Sequence, residues 1–297
     1  MENGKLKSKR SALFDLHFQL KSEEFMLKSD NMHIIEKNGV VYLKFKALDD
    51  MDFVNMAIST RHGGVTKGEE LGTLNLGTST DDSLENIVKN YEIFSASAGF
   101  TAQNIVTTRQ THGSNILVAT IDDAGKGVYR ERDYESVDAI VTNEKNLPIA
   151  IHSADCIPVT IIDIKNKAVG SAHCGWKGTF NSLASLTYKK MKELFSTKDA
   201  ICLIGPGICR NCYEVSEDLY LKFLNKFGFE DAIFYKNGKF YLDLPLINKH
   251  ILEKEGLENI VISDLCTCCN KEHLYSHRGL GPKRGIMATI TEIKENR

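Results

Sequence analysis

Periodic structure begins near residue 40. VVYLKFKAL (40–48) and FVNMAIST (53–60) have the apolar, β-branched character of strands, whereas residues 1–39 are polar, mixed and without a period. Residues 1–39 are therefore expected to form a weakly structured N-terminal extension. The paired glycines of RHGGVTKG (61–68) break either pattern and mark a loop. In DDSLENIVKNYEIFSASAGF, Asp82 stands three residues before Glu85, in the manner of a capping box. Leu84, Ile87, Val88, Tyr91, Ile93 and Phe94 line one face and Gly99 suits the C′ position, which predicts a helix.

Strands are expected at 104–110, 115–121 and 138–142. Two β-branched runs, 157–163 and 168–173, flank Lys165-Asn166-Lys167 and predict a hairpin. Further helices are expected at 179–195, 217–228 and 245–256, and further strands at 200–205, 259–263 and 286–293. Asn237-Gly238, between two strand-like runs, is a strong hairpin signal. Strands dominate and do not alternate regularly with helices, which favours an α+β fold over a doubly wound sheet. No repeat, low-complexity tract or linker divides the chain, so residues 40–297 are expected to form a single domain.

The 297 residues are 42% apolar and 26% charged, ordinary for a globular protein, and net charge is −2. That charge lacks the basic footprint of a nucleic-acid binder. No apolar run approaches the ~20 residues that span a bilayer. MENGKLKSKRSALFDLHF has no apolar core of a secretory signal, so a cytoplasmic location is expected. The eight cysteines are then reduced thiols or metal ligands, and all lie after residue 155. The chain contains no H-E-x-x-H, P-loop, dinucleotide fingerprint, cytidine-deaminase zinc signature or G-x-S-x-G motif.

Four segments place reactive side chains beside glycines or strand ends: RQTHG (109–113), SADC (153–156), AHCGWKGT (172–179) and SHRG (276–279). His112, Cys156 and His173 each stand where an apolar strand meets a polar turn. Two imidazoles and a thiolate can hold a catalytic zinc with a fourth position open to water. The same three residues also suit a blue-copper site, and Cys156 with His173 suits a metal-free cysteine hydrolase. Copper-dependent oxidation of phenols needs several coppers and many imidazoles, and this chain has nine histidines and no H-x-H pair. Cys209-x-x-Cys212 and Cys266-x-Cys268-Cys269 are expected to be free thiols rather than a second, four-thiolate zinc site. Gly175 to Thr179 lead into a helix whose backbone N–H groups suit an anion, with Arg61, Arg109, Lys177 and Arg278 as accompanying cations.

STRHGGVTKG, LNLG (74–77), RQTHGSNI, DAIVTN, ADCIPVTIID, AHCGWKGT, IGPGICRNCYEV, DLCTCCN and SHRG followed by Arg284-Gly285 occur in one order along the chain. Together they resemble the YfiH-type laccase-domain family, formerly polyphenol oxidases and later described as purine nucleoside phosphorylases. The resemblance implies a three-layer α+β domain with mixed β-sheets, CNF/YfiH-like and related to bacterial toxin deamidases. It implies Zn2+ held by His112, Cys156 and His173. It implies phosphorolysis of adenosine, inosine, guanosine and methylthioadenosine, and hydrolytic deamination of adenosine, with purine nucleosides and phosphate as partners. Ser59, Thr60, Arg61, Asn75 and Arg278 fall where the family lines its pocket, and Lys177 is expected to assist phosphate. The chain departs from the family in having one arginine, Arg278, where a pair is common, and an added thiol at Cys209. Nothing in the sequence sets an oligomeric state.

Overall fold

The first two strands join through an Asn-Gly turn. β1 (Met32–Lys37) and β2 (Val40–Phe45) are antiparallel, and Asn38 and Gly39 take φ of +55° and +76°, as a type I′ turn requires. A computed structural model of the chain describes residues 27–295. The expected extension, 1–39, overlaps the described residues at 27–39. Residues 27–39 are built into the fold, because the Asn38-Gly39 turn folds β1 back on β2, and residues 1–26 lie outside the described residues.

After β3 (Val54–Ser59) the chain forms helix α1 (Leu84–Ala98). Its cap is Ser83, whose hydroxyl accepts from Asn86 N, rather than Asp82. Asp82 instead accepts hydrogen bonds from Thr66, Asn75 and Asn86. Gly99 closes the helix at φ +84°. Then come β4 (Val106–Thr107), β5 (Asn115–Val118), β6 (Val137–Thr142), β7 (Ile149–Ser153), β8 (Ile157–Asp163) and β9 (Ala168–Cys174). The helix expected at 179–195 is two helices, α2 (Trp176–Phe180) and α3 (Leu183–Phe195), because Ser182 takes φ +58° between them.

The remainder comprises β10 (Ala200–Ile204), β11 (Glu214–Val215), α4 (Glu217–Phe227), β12 (Ile233–Lys236) and β13 (Lys239–Leu242). It ends with α5 (Leu244–Lys254), β14 (Ile260–Ile262), α6 (His277–Leu280) and β15 (Met287–Ile293). The expected Asn237-Gly238 hairpin joins β12 to β13.

Two six-stranded sheets carry the fold, ordered β1-β2-β3-β15-β7-β4 and β14-β10-β8-β9-β6-β5, with a small third sheet β11-β13-β12. Both large sheets are mixed: β4–β7 in the first and β10–β14 and β5–β6 in the second are parallel, amid antiparallel neighbours. Strand parity shows how the layers stack. Met56 and Ile58 of β3 pack in one cluster with Ile140, Ile162, Val169 and Leu203 of the second sheet. Ala57 and Ile290, on the other face of the first sheet, meet Tyr91 and Phe94 of α1. Val159, Ile161 and Ala172, on the outer face of the second sheet, meet Leu183 and Met191 of α3 and Ile247 of α5. The order is helix, sheet, sheet, helices, so α1 adds a layer to the expected α+β arrangement. Each fully buried Ile or Leu at these seams contributes about 1.5–3 kcal/mol. Among the described residues no helix is long and apolar enough to cross a membrane.

Candidate metal centre and cleft

His112, Cys156 and His173 converge at one end of the sheet sandwich, their ligand atoms within 4.8 Å of one another. His112 lies in the loop from β4 to β5 at φ +60°, Cys156 ends the turn from β7 to β8, and His173 is near the end of β9. The His112 and His173 rings are 4.8 Å apart, centroid to centroid.

Asp138, fully buried at the start of β6, organises the cluster. Its Oδ1 accepts from His112 N at 3.0 Å and lies 3.0 Å from His173 Nδ1. Its Oδ2 accepts from Thr111 N at 3.1 Å and Gly113 N at 2.8 Å. One carboxylate therefore shapes the His112 loop and directs the Nδ1 proton of His173 towards itself, leaving Nε2 for a metal. Burial opposes the negative charge of Asp138, but His173 and the loop N–H groups outweigh it and hold the carboxyl below its usual range.

Burial likewise opposes a charge on His173, yet the Cys156 sulfur and Asp138 push its pKa up to about 9. A metal would have to displace that proton. His112 shifts downward through partial burial and the nearby His173 and Lys177, against the pull of Asp138.

The residues present fit a metal. The donors are two imidazoles and a thiol, with a carboxylate behind one imidazole. Gly175 leaves the space they need: a Cβ there would stand 2.8 Å from Cys156 Sγ and 2.9 Å from His112 Nδ1.

The cluster lines a cleft of about 540 Å³, within the range of small-molecule sites. Trp176, Tyr213, Arg278, Arg284, Arg132 and Ser153 share the wall. Ser153 Oγ and Arg284 Nε are buried there without a hydrogen-bond partner. Arg278 is fixed at three points: its N donates to Asp155 Oδ2 at 2.6 Å, and its guanidinium donates to Cys212 O at 3.2 Å and Glu214 O at 3.1 Å. His152 accepts from Tyr91 on its far side at 2.6 Å, and burial lowers its pKa to about 3, so it is neutral.

Of the residues expected to contact substrate, Arg278 lines the cleft. Ser59, Thr60, Arg61 and Asn75 are not among its lining residues, and their polar groups are engaged within the protein. Ser59 Oγ accepts from Ala288 N, Thr60 donates to Val41 O, and Arg61 donates to Lys271 O and Glu69 O. Asn75 Oδ1 accepts from Gly77 N and Ile286 N, and so supports two lining residues from behind. Lys177 is exposed and outside the lining, with its Nζ 5.5 Å from the Trp176 ring, and α2 spans only five residues. Asp138 and Tyr213 are site residues beyond those expected from the sequence, and Ser153 joins them from the SADC segment. Asp138 carried a readable signal, since it stands two residues before buried Ile140 on β6 and so shares its inward face.

Fold and site together define a mixed α/β protein whose cleft contains a Cys/His cluster able to bind a metal. The chain belongs to the family described as multi-copper polyphenol oxidoreductase laccase, whose model matches residues 55–294. Purine nucleoside phosphorylase YlmD of Bacillus subtilis is 33% identical over 247 residues, which are 80% of this chain and 87% of that protein. Adenosine deaminase RL5, from an unknown prokaryotic organism, is 29% identical over 252 residues, 80% of this chain and 95% of that protein. The crystal structure of the hypothetical protein YfiH of Bacillus licheniformis matches with a TM-score of 0.80 at 25% identity, covering 89% of this chain and 100% of that one.

Proposed function

We propose that the chain is a zinc-dependent purine nucleoside enzyme. It cleaves adenosine, inosine, guanosine and methylthioadenosine with phosphate to the base and the sugar 1-phosphate, and it deaminates adenosine to inosine with water. The observation that carries this reading is the His112–Cys156–His173 cluster opening into a cleft walled by Arg278 and Arg284. The names of the relatives supply the substrate class. Zinc held by the three side chains supplies Lewis-acid polarisation and a coordination position for water.

The protein's own residues do the rest. Asp138 keeps His173 in the tautomer that presents Nε2. Arg284 and Arg278 bring positive charge for phosphate, and the unpartnered Arg284 Nε and Ser153 Oγ are available to hydrogen-bond substrate. Trp176 and Tyr213 put aromatic rings in the cleft wall for a purine to pack against. Lys177 adds charge near His112.

Copper-dependent phenol oxidation is disfavoured by the donor set: among the described residues, His112 and His173 are the imidazoles that join a ligand cluster. A cysteine hydrolase is the second reading, because His173 contacts both Cys156 and Asp138, the order of nucleophile, base and orienting acid.

Chromatography of products from adenosine tests the proposal. Wild-type protein should yield inosine without phosphate, and adenine with ribose 1-phosphate when phosphate is present. Arg284→Gln should impair phosphorolysis more than deamination, and His112→Ala should abolish both. Full activity in metal-free His112→Ala protein overturns the zinc reading in favour of the hydrolase.

A further inference from the structure

The fold brings together four of the five thiols expected to be independent. Cys209 and Cys212 lie in the loop from β10 to β11, and Cys266 and Cys269 lie in the loop from β14 to α6. The four Sγ atoms are within 4.8 Å of one another, and Cys212 Sγ to Cys269 Sγ is 3.4 Å. We propose that Cys209, Cys212, Cys266 and Cys269 hold a second zinc ion, a closed structural site separate from the cleft.

Three features carry this. Each loop contributes a pair spaced C-x-x-C, the spacing at which one turn of chain directs two sulfurs to one point. The distances suit a single ion: four sulfurs ~2.3 Å from a tetrahedral zinc lie about 3.8 Å from one another. The surrounding backbone also suits thiolates, since Cys266 Sγ accepts from Cys209 N at 3.3 Å and from Cys269 N at 3.4 Å. A disulfide would join two of the sulfurs and leave two others crowded beside it. Cys268 stands between the ligands in sequence but outside the cluster.

The position gives the ion a purpose. Besides the thiols, the two loops meet through Thr267 N, which donates to Gly207 O at 3.0 Å. The first loop lines the cleft through Ile208 and Tyr213, and the second runs into α6, whose His277 and Arg278 line it. Cys212 O, on a ligand residue, accepts from Arg278, and Thr267, between two ligands, donates to Asp155 Oδ1 at 2.6 Å while Asp155 Oδ2 holds Arg278 N. A four-thiolate zinc would therefore clamp the wall that carries Tyr213 and Arg278.

The test is zinc content of the full-length protein by mass spectrometry, with X-ray absorption of the bound metal. Wild type should hold two zinc ions per chain. Cys156→Ala should retain one, in a shell of four sulfurs, and Cys269→Ser should lower zinc content from two to one. Cys269 is exposed, so its replacement endangers the fold least. Thiol alkylation after denaturation without reductant should label all eight cysteines. One zinc in wild type and none in Cys156→Ala overturns the second site while leaving the first intact. A Cys212–Cys269 disulfide, seen as two unlabelled cysteines, also overturns it. Two zincs in wild type with two remaining in Cys269→Ser would show that the second ion lies elsewhere.

Discussion

Replacing Asp138 with Asn changes one atom and leaves no orientation that serves every partner. The carboxylate accepts from Thr111 N, Gly113 N and His112 N and faces His173 Nδ1. If the amide oxygen takes the Oδ2 position, the NH2 group confronts His112 N–H and the Nδ1 proton of His173. The imidazole can then relieve the clash by moving its proton to Nε2, the nitrogen needed for a metal. If the oxygen takes the Oδ1 position, Thr111 N and Gly113 N lose their acceptor, at about 1–3 kcal/mol each. Loss of such an outer partner typically weakens metal binding by about 10–100-fold. At a fixed free zinc concentration well above the Kd of both proteins, a 100-fold loss removes about 2.7 kcal/mol of metal-linked stability. For a chain of this size that is roughly 4–5 °C in Tm. Competition with a chromogenic chelator measures the Kd, and thermal unfolding with and without zinc measures the linked stability. An unchanged zinc Kd in Asp138→Asn would refute the role assigned to this carboxylate.

Gly175→Ala should lower zinc affinity without disturbing the backbone. Gly175 sits at φ −66°, which Ala adopts freely, while the new methyl would press on Cys156 Sγ at 2.8 Å. Overpacking of this kind costs about 1–3 kcal/mol, so affinity should fall roughly tenfold or more, and wild-type affinity in the variant would count against the geometry. Glu292 gives a pH prediction. Burial raises its carboxyl to about 7 against Asn55, Lys294 and Lys44, whereas an unfolded Glu titrates near ~4.3. The folded state therefore keeps a proton that the unfolded state releases, and stability is lost as pH rises through that window. Glu292→Gln should thus gain about 1–3 kcal/mol relative to wild type between pH 4 and pH 8, and a pH-independent difference in unfolding free energy would contradict this.

Local pattern was enough to place most elements, because period and turn chemistry are local properties. Asn237-Gly238 made its hairpin, and the same dipeptide at Asn38-Gly39 marks the β1–β2 turn that the polar composition around it obscured. His112, Cys156 and His173 were legible as reactive groups at strand ends. Ser59, Thr60 and Asn75 were expected in the pocket through the family resemblance alone. A small polar side chain beside a strand end has the same local sequence whether it faces a cleft or satisfies a backbone group, and these three satisfy backbone or internal groups. The four-cysteine cluster carried its own signal in two C-x-x-C pairs, hidden in the second by the intervening Cys268.

What periodicity cannot reveal is which strands belong to which sheet, and the site depends on that. β4 and β7 lie in the first sheet, whereas β5 and β8, which follow them, lie in the second. Packed sheets stand about 10 Å apart, so each connection must leave one layer and enter the other. Such a connection cannot continue a ladder, and its backbone bends at His112 with φ +60° and at Asp155 with φ +89°. Those two bends set His112 and Cys156 beside His173, which the parity of β9 already directs between the sheets with Val169. The four-thiol loops obey the same geometry, since one leaves the second sheet for the third and the other leaves it towards β15 in the first. Both clusters therefore form where the chain changes layers. There the backbone is released from the ladder, and side chains distant in sequence meet at the open end of the sandwich.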